Sequence, residues 1–218
     1  RTDGEIRIRI RERKGRSWSG VLRITLPTWA ALEARGREGE VTVQGVRGGV
    51  VVRTMDGPVR LRDVAGGIRV RTVEGSVLVD GVEGEVEIRG VDEGVRVFRA
   101  RAPSVTVHTV DGDVILEDVE ARGVDVSTVD GDLVFSGPLR ADGVYRLVTH
   151  DGDVTVTIPG SPDARVTVST FDGTFDSDFP VVVERFRGGE LLSFTLGQGG
   201  AELQLEAFDG EIRLRRGG

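Results

Sequence analysis

Hydrophobic and polar positions alternate along this chain, and the alternation restarts on a regular period. Ile68, Val70 and Thr72 are followed by Val77 and Val79; Val124, Val126 and Thr128 are followed by Leu133 and Phe135. A period of two residues, rich in Val, Ile and Thr, predicts β-strands with one buried face. Between the paired runs stands a short phrase, Thr-x-Asp-Gly-x-Val. It reads Thr54 to Val59, Thr72 to Val77 with Glu74 as its acid, Thr109 to Val114, Thr128 to Leu133, Thr149 to Val154 and Thr170 to Phe175, with a worn copy from Ala207 to Ile212. Its glycines step by 18 from Gly57 to Gly75 and by 37, two turns, to Gly112, then by 19, 21, 21 and again 37. A unit this short cannot bury an apolar face alone, so successive copies must stack.

A second small residue falls about halfway between the phrases, at Gly48, Gly66, Gly84, Ala102 and Gly123. Each turn therefore reads as two strands of roughly five residues separated by two corners. Asp-Gly alone would also fit a β-hairpin. A hairpin, however, pairs antiparallel neighbours and gives no reason for a recurring 18-residue identity. The period favours an all-β parallel solenoid, right-handed by expectation, with each residue beside one 18 to 21 positions away. Thr54, Thr72, Thr109, Thr128, Thr149 and Thr170 would form an inward column at one corner, with Val70, Val77, Val79, Val126, Leu133 and Leu147 inside. At about 4.8 Å per coil, some nine or ten coils make a rod roughly 45 Å long.

Both ends break the rhythm, as a solenoid requires to shield its terminal strands. Within one domain, residues 1–38 read as an N-terminal cap and first coil, 39–180 as regular coils, and 181–218 as a hairpin insertion and C-terminal cap. Glu5 to Ile10 and Val21 to Leu26 alternate around a charged loop, Arg11 to Gly20. Thr28 to Arg35 could pass for a short helix, but Leu32 and Ala34 align with Ile68 and Val70, and the repeat overrides the helix. Val181 to Arg187 and Glu190 to Leu196 flank Gly188-Gly189 as a hairpin would. Leu203, Leu205 and Ala207 then resume the inward pattern, and Ile212 and Leu214 close it.

Charge adds little to this picture. With 36 acids against 29 bases, and the bases spread along the turns, nothing points to nucleic acid. No apolar run approaches the ~18 residues that span a bilayer, so no membrane insertion by this segment is expected. No signal peptide is visible, which says little about location. Cysteine is absent, which excludes disulfides and thiolate metal sites. Asparagine is also absent, and lysine and methionine occur once each, the bias of a thermostable protein or of a GC-rich genome.

The recurring Thr-x-Asp-Gly-Asp-Val corner, as in Thr128 to Leu133 and Thr149 to Val154, together with Phe171 to Pro180, resembles a bacterial family of β-strand repeats labelled adhesins, domain of unknown function 4097. The resemblance runs most clearly from Gly39 to Leu214. It implies a parallel β-solenoid of envelope or extracellular setting, and it brings no catalytic residues with it.

Three sets of residues could carry function. Asp56-Gly57, Glu74-Gly75, Asp111-Gly112, Asp130-Gly131, Asp151-Gly152 and Asp172-Gly173 form structural corners, with Asp113, Asp132 and Asp153 beside three of them. Stacked acids invite calcium, but the Gly-Gly-x-Gly-x-Asp of calcium-binding rolls is missing, so each Asp is read as a cap on its own corner's amides, with no metal or cofactor. Met55, Val73, Val110, Val129, His150, Phe171 and Phe208 precede the acids and point outward, a possible interaction face, with outward Leu78, Ile115 and Val134 on the following strand. His108 and His150 stand too far apart to share a metal and read as ladder residues; no nucleophile elbow, Walker or Rossmann pattern occurs. Trp18, Trp29 and Tyr145 could contact sugars, or the tryptophans could plug the N-terminal core. The expectation is a non-enzymatic binding or adhesion scaffold for an unidentified protein or polysaccharide, open to homo-oligomerisation. The alternatives are a self-assembling rod and a carbohydrate-active β-helix enzyme.

Overall fold

The structure is a computed structural model that describes residues 21–181, 185–187 and 191–218. The predicted Glu5 to Ile10 strand, the Arg11 to Gly20 loop, Trp18 and Gly188-Gly189 lie outside the described residues. There is no helix among those described, and sixteen strands join in one wrapped sheet. In chain order they are β1 Leu32–Arg35, β2 Val41–Gln44, β3 Val50–Arg53, β4 Val59–Val64, β5 Ile68–Arg71, β6 Val77–Glu83, β7 Val86–Arg89 and β8 Val95–His108. They continue as β9 Val114–Ser127, β10 Leu133–Ser136, β11 Val144–Asp151, β12 Val154–Pro159, β13 Ala164–Ser177, β14 Arg185–Arg187, β15 Leu191–Leu196 and β16 Ala201–Gly217.

Pairing follows the repeat through most of the chain. Val50 lies beside Ile68 and Ile68 beside Val86; Val95 lies beside Val114, Val114 beside Leu133, and Leu133 beside Val154, all parallel. The Thr28 to Arg35 segment ends as strand β1, with Leu32 opposite Val50. Like residues thus stack on like, and the inner column closes into a single core in which Val70, Val77, Val79, Val126, Leu133 and Leu147 are buried.

Five successive coils bend three times, one more than expected. After the first strand of a coil, Gly45, Asp63, Gly81, Arg99 and Asp118 take φ values of 70, 52, 73, 52 and 54°. This left-handed kink starts a short third side whose inward residues, Val64, Val82, Ala100 and Val119, stack in register and are buried. Asp tolerates that conformation better than most residues. The halfway column is also re-registered, because Ala102 pairs with Ala121 while Gly123 pairs with Ser104.

The last coils depart from chain order. β16 pairs with β11 and β12 on one side and with β13 on the other. Its partners lie 58 and 37 positions away, as in Leu147 beside Leu205 and Val168 beside Leu205, instead of 18 to 21. The C-terminal strand is therefore intercalated one coil inside the end. β15 runs antiparallel along the free edge of β13, and β14 along β15. An antiparallel hairpin thus covers the edge that another coil would otherwise extend. Phe175 and Phe194 meet at 5.8 Å at this end, and the Arg216 guanidinium lies 5.0 Å over the Phe179 ring.

Candidate functional site

The Asp-Gly corners stack into one straight edge of the solenoid. Bridges link Glu38 to Asp56, Asp56 to Glu74, Glu74 to Asp92, Asp111 to Asp130 and Asp130 to Asp151; Asp209 then pairs with Asp151 and with Asp172. The corner at Val91-Asp92-Glu93-Gly94 fills the double step between Gly75 and Gly112 and was hidden because Gly90 and Glu93 replace the Thr and Gly of the phrase. Glu93 sits there at φ 86°.

Inside the edge, Thr54, Thr72, Thr109, Thr128 and Thr149 are buried. The hydroxyl of Thr109 donates to the carbonyl of Asp111 at 3.2 Å and to that of Val91, one coil back, at 3.3 Å; Thr128 does the same with Asp130 and Val110. Thr170 is only half-buried, and its hydroxyl lacks a partner. Gly173 beside it does not adopt the positive φ of the other corner glycines, and is glycine for want of space against Gly210.

The expected capping by the first acids is corrected by the geometry. Among the described residues no hydrogen bond holds the carboxylates of Asp56, Glu74, Asp111, Asp130, Asp151 or Asp172. The second acids do the capping, and they reach across coils: Asp113 accepts from the Asp132 amide at 3.0 Å, Asp132 from the Asp153 amide at 2.8 Å, and Asp153 from the Glu211 amide at 2.8 Å. They cap in this way because parallel stacking places each carboxylate nearest the next coil's amide. No group of three or more potential ligand side chains converges among the described residues.

The residue before each first acid forms an outward ridge. Its spatial order is Met55, Val73, Val91, Val110, Val129, His150, Phe208 and Phe171, which inserts Val91 and places Phe208 ahead of Phe171. These side chains stay open to solvent: Met55 is 52% exposed, Val110 49%, Val129 48% and Phe171 67%. Phe208 stacks on Phe171 at 4.7 Å and meets the His150 ring edge-on at 4.6 Å, so the far end of the ridge is a continuous aromatic step. Leu78, Ile115 and Val134 on the next side are half-buried.

Over its first four coils the ridge is bordered by two flanks of opposite charge. On the strand leading into it stand Arg35, Arg53, Arg71 and Arg89 in one column, with Arg69 behind them. Glu33 bridges Arg35 and Arg53, and Glu87 bridges Arg69, Arg71 and Arg89. The arginines hold both carboxyls below the usual carboxylate range, through hydrogen bonds first and charge second. Beyond the ridge stand the first acids, with Glu40 and Glu93. Here too Glu40 is held low, by hydrogen bonds from Thr42 and Arg60.

Elsewhere, a groove of about 830 Å³ follows the short third side between Thr28 and Pro138, lined by Arg47, Glu83, Arg101 and Glu120 among others. His108 pairs across coils with Ser127, Nδ1 to Oγ 2.7 Å, while its Nε2 lies 3.8 Å from Asp125. The adjacent Thr128 amide donates to the Val148 carbonyl, so that amide is not free to serve as an oxyanion donor beside Ser127. Tyr145 is fully buried, its hydroxyl donating to the Ala121 carbonyl at 2.7 Å and accepting from the Arg140 amide at 2.8 Å, which removes it as a sugar contact. Trp29 is 77% exposed, so it does not plug the core. No helix among the described residues is long and apolar enough to cross a membrane.

The sequence profile of the family described as Toastrack DUF4097 matches residues 22–215. No curated protein and no solved structure matches the chain.

Proposed function

We propose that this chain, which belongs to the Toastrack DUF4097 family, is a non-enzymatic binding scaffold that presents its corner ridge to a partner. The observation that carries this reading is the unbroken exposed column from Met55 to Phe171. Contiguous exposed apolar surface rimmed by charge is the mark of an interaction site. A backbone laddered through most of the described coils suits it to contact, because few groups need ordering when a partner binds. Chemistry is harder to support on this surface. The corners are tight, and the Ser127–His108–Asp125 line lies open on a sheet face beside an amide already engaged in the ladder.

Site-specific photo-crosslinking in cells tests this. A photoreactive side chain at Val129 should give discrete adducts, and the same group at Arg122 or Arg165, exposed positions away from the ridge, should not. Equal labelling at all three positions, or none at Val129, would overturn the reading.

A further inference from the structure

The ridge and its flanks together specify a partner. We infer that the ridge is the interface of a weak homodimer whose two-fold axis runs parallel to the solenoid axis, with the two ridges side by side in the same direction. This rests on the ridge being a contact surface, and adds to it the identity of the partner.

The argument is one of symmetry. In crossing the edge, the chain passes from the arginine column (Arg35, Arg53, Arg71, Arg89) through the apolar column to the acid column (Glu38, Asp56, Glu74, Asp92). Two such surfaces can meet face to face about a two-fold axis in only two ways. An axis across the ridge reverses one rod and sets acid against acid and base against base. An axis along the ridge keeps both rods in the same direction and, over the four coils that carry arginine, sets each acid column against the other copy's arginine column. Past Arg89 the same column continues as His108, Ser127 and Val148, which would face Asp111, Asp130 and Asp151. Like-charge juxtaposition is strongly disfavoured at an interface, so the second arrangement is selected. It also lays the aromatic end, His150, Phe208 and Phe171, against itself.

The existing ion pairs do not oppose this. The arginine flank carries five guanidiniums against the carboxylates of Glu33 and Glu87, and the side chains of Arg35, Arg71 and Arg89 are at least half exposed. Surface pairs of this kind contribute little and can be redirected. In size, coils spaced about 4.8 Å apart give a ridge on the order of 40 Å long and, flanks included, roughly 13 Å wide, hence on the order of 1,000 Å² buried in total, at the lower limit for a specific interface. A dimer of this size is concentration-dependent.

Sedimentation velocity tests the arrangement with two charge-reversed chains. One carries Arg53→Glu and Arg71→Glu, so both its flanks are acidic; the other carries Asp56→Arg and Glu74→Arg, so both are basic. The wild type should dimerise at tens to hundreds of micromolar, each reversed chain alone should weaken dimerisation at least tenfold, and an equimolar mixture should recover a one-to-one dimer. Circular dichroism establishes that each reversed chain is folded, and a Lys pair at Val110 and Val129 supplies a second, charge-independent disruption. Wild type that stays monomeric overturns the homodimer while leaving the ridge as a surface for another partner. Dimers that survive Val110→Lys with Val129→Lys overturn the ridge as the dimer interface, and the crosslinking at Val129 then decides whether it serves another partner. Dimers lost in the Lys variant but indifferent to charge reversal overturn the two-fold along the ridge.

Discussion

Two corner glycines share one backbone conformation and differ in their surroundings, which allows strain and clash to be separated by experiment. Gly39 and Gly112 both have φ 118°, where a side chain is disfavoured. A Cβ at Gly39 would meet nothing within 4 Å, whereas at Gly112 it would lie 2.5 Å from the Glu93 carbonyl oxygen and 2.6 Å from its carbon. Replacing Gly39 with Ala therefore costs only the backbone strain, about 1–3 kcal/mol, offset by the roughly 0.4–1 kcal/mol that Ala gains through a less flexible unfolded chain. Replacing Gly112 adds an overlap that the stacked coil cannot relieve without opening the ladder, a further 1–3 kcal/mol by analogy with overpacked cores. Urea unfolding followed by circular dichroism should place Gly112→Ala at least about 1 kcal/mol below Gly39→Ala at unchanged slope. Because Gly39 lies in the first coil, where local fraying could lower its apparent cost, hydrogen exchange at the Val114 amide serves as a common interior reporter. Glu93→Gly tests the same corner in the opposite sense: it relieves a non-glycine residue held at φ 86° and should stabilise by about 0.5–1 kcal/mol. Equal losses for the two alanine variants, or a destabilising Glu93→Gly, would refute the reasoning that coil-to-coil contact dictates glycine here.

Other expectations follow from single contacts. Tyr145→Phe should cost about 1–3 kcal/mol, since it orphans the Arg140 amide and the buried Ala121 carbonyl. Burial raises the Tyr145 phenol above its ordinary value, so its contribution is complete below the unfolded value near 10 and is lost as pH rises through the folded one; melts at alkaline pH should show that loss in the parent and less of it in the Phe variant. Ending the chain at Gly200 should unfold the neighbouring coils together, because β16 is laddered on both sides, and a truncation that merely frays the last turn would contradict the intercalated order. Asp132→Ala should lose about 0.5–1.5 kcal/mol for the bond to the Asp153 amide, while excess calcium or a chelator leaves the melting temperature of the parent nearly unchanged; a calcium-dependent rise would point to bound metal at the corners.

The repeat made the ladder, the inward threonines and the outward ridge legible, because parallel stacking converts spacing directly into neighbourhood. It was blind where a position keeps its place but changes its residue. Gly90 and Glu93 disguise a whole coil, and the third bend is carried by Gly45, Asp63, Gly81, Arg99 and Asp118, too varied to form a phrase. The order of the last coils was not legible for another reason. The step from Gly173 to Gly210 is again 37, yet here it spans a hairpin and returns to an adjacent coil, since spacing records register and not the direction in which the rod grows. The acidic corners showed a third kind of failure: the column was placed correctly, but the capping acid was assigned to its own corner when the next coil's amide is nearer.

What distinguishes the ridge from the other columns is that the fold does not require it. The inward Thr column closes the corner by hydrogen bonds, the glycines are imposed by close approach, and the second acids cap amides. A ridge side chain does none of these. It stands at a solvated bend where Ser, Lys or Asp would be as compatible with the backbone, and where turn chemistry favours such residues. Yet the ridge is Met, Val, Val, Val and Val through Val129, and ends in His, Phe and Phe, with only Arg37 at its start departing from the pattern. Scattered exposed apolar residues are ordinary on a protein surface, but a contiguous line of them at equivalent positions, with no packing role, is not. The threonine, glycine and second-acid columns each have a role in closing the corner and the apolar ridge has none, which is the ground for reading it as the contact surface proposed above.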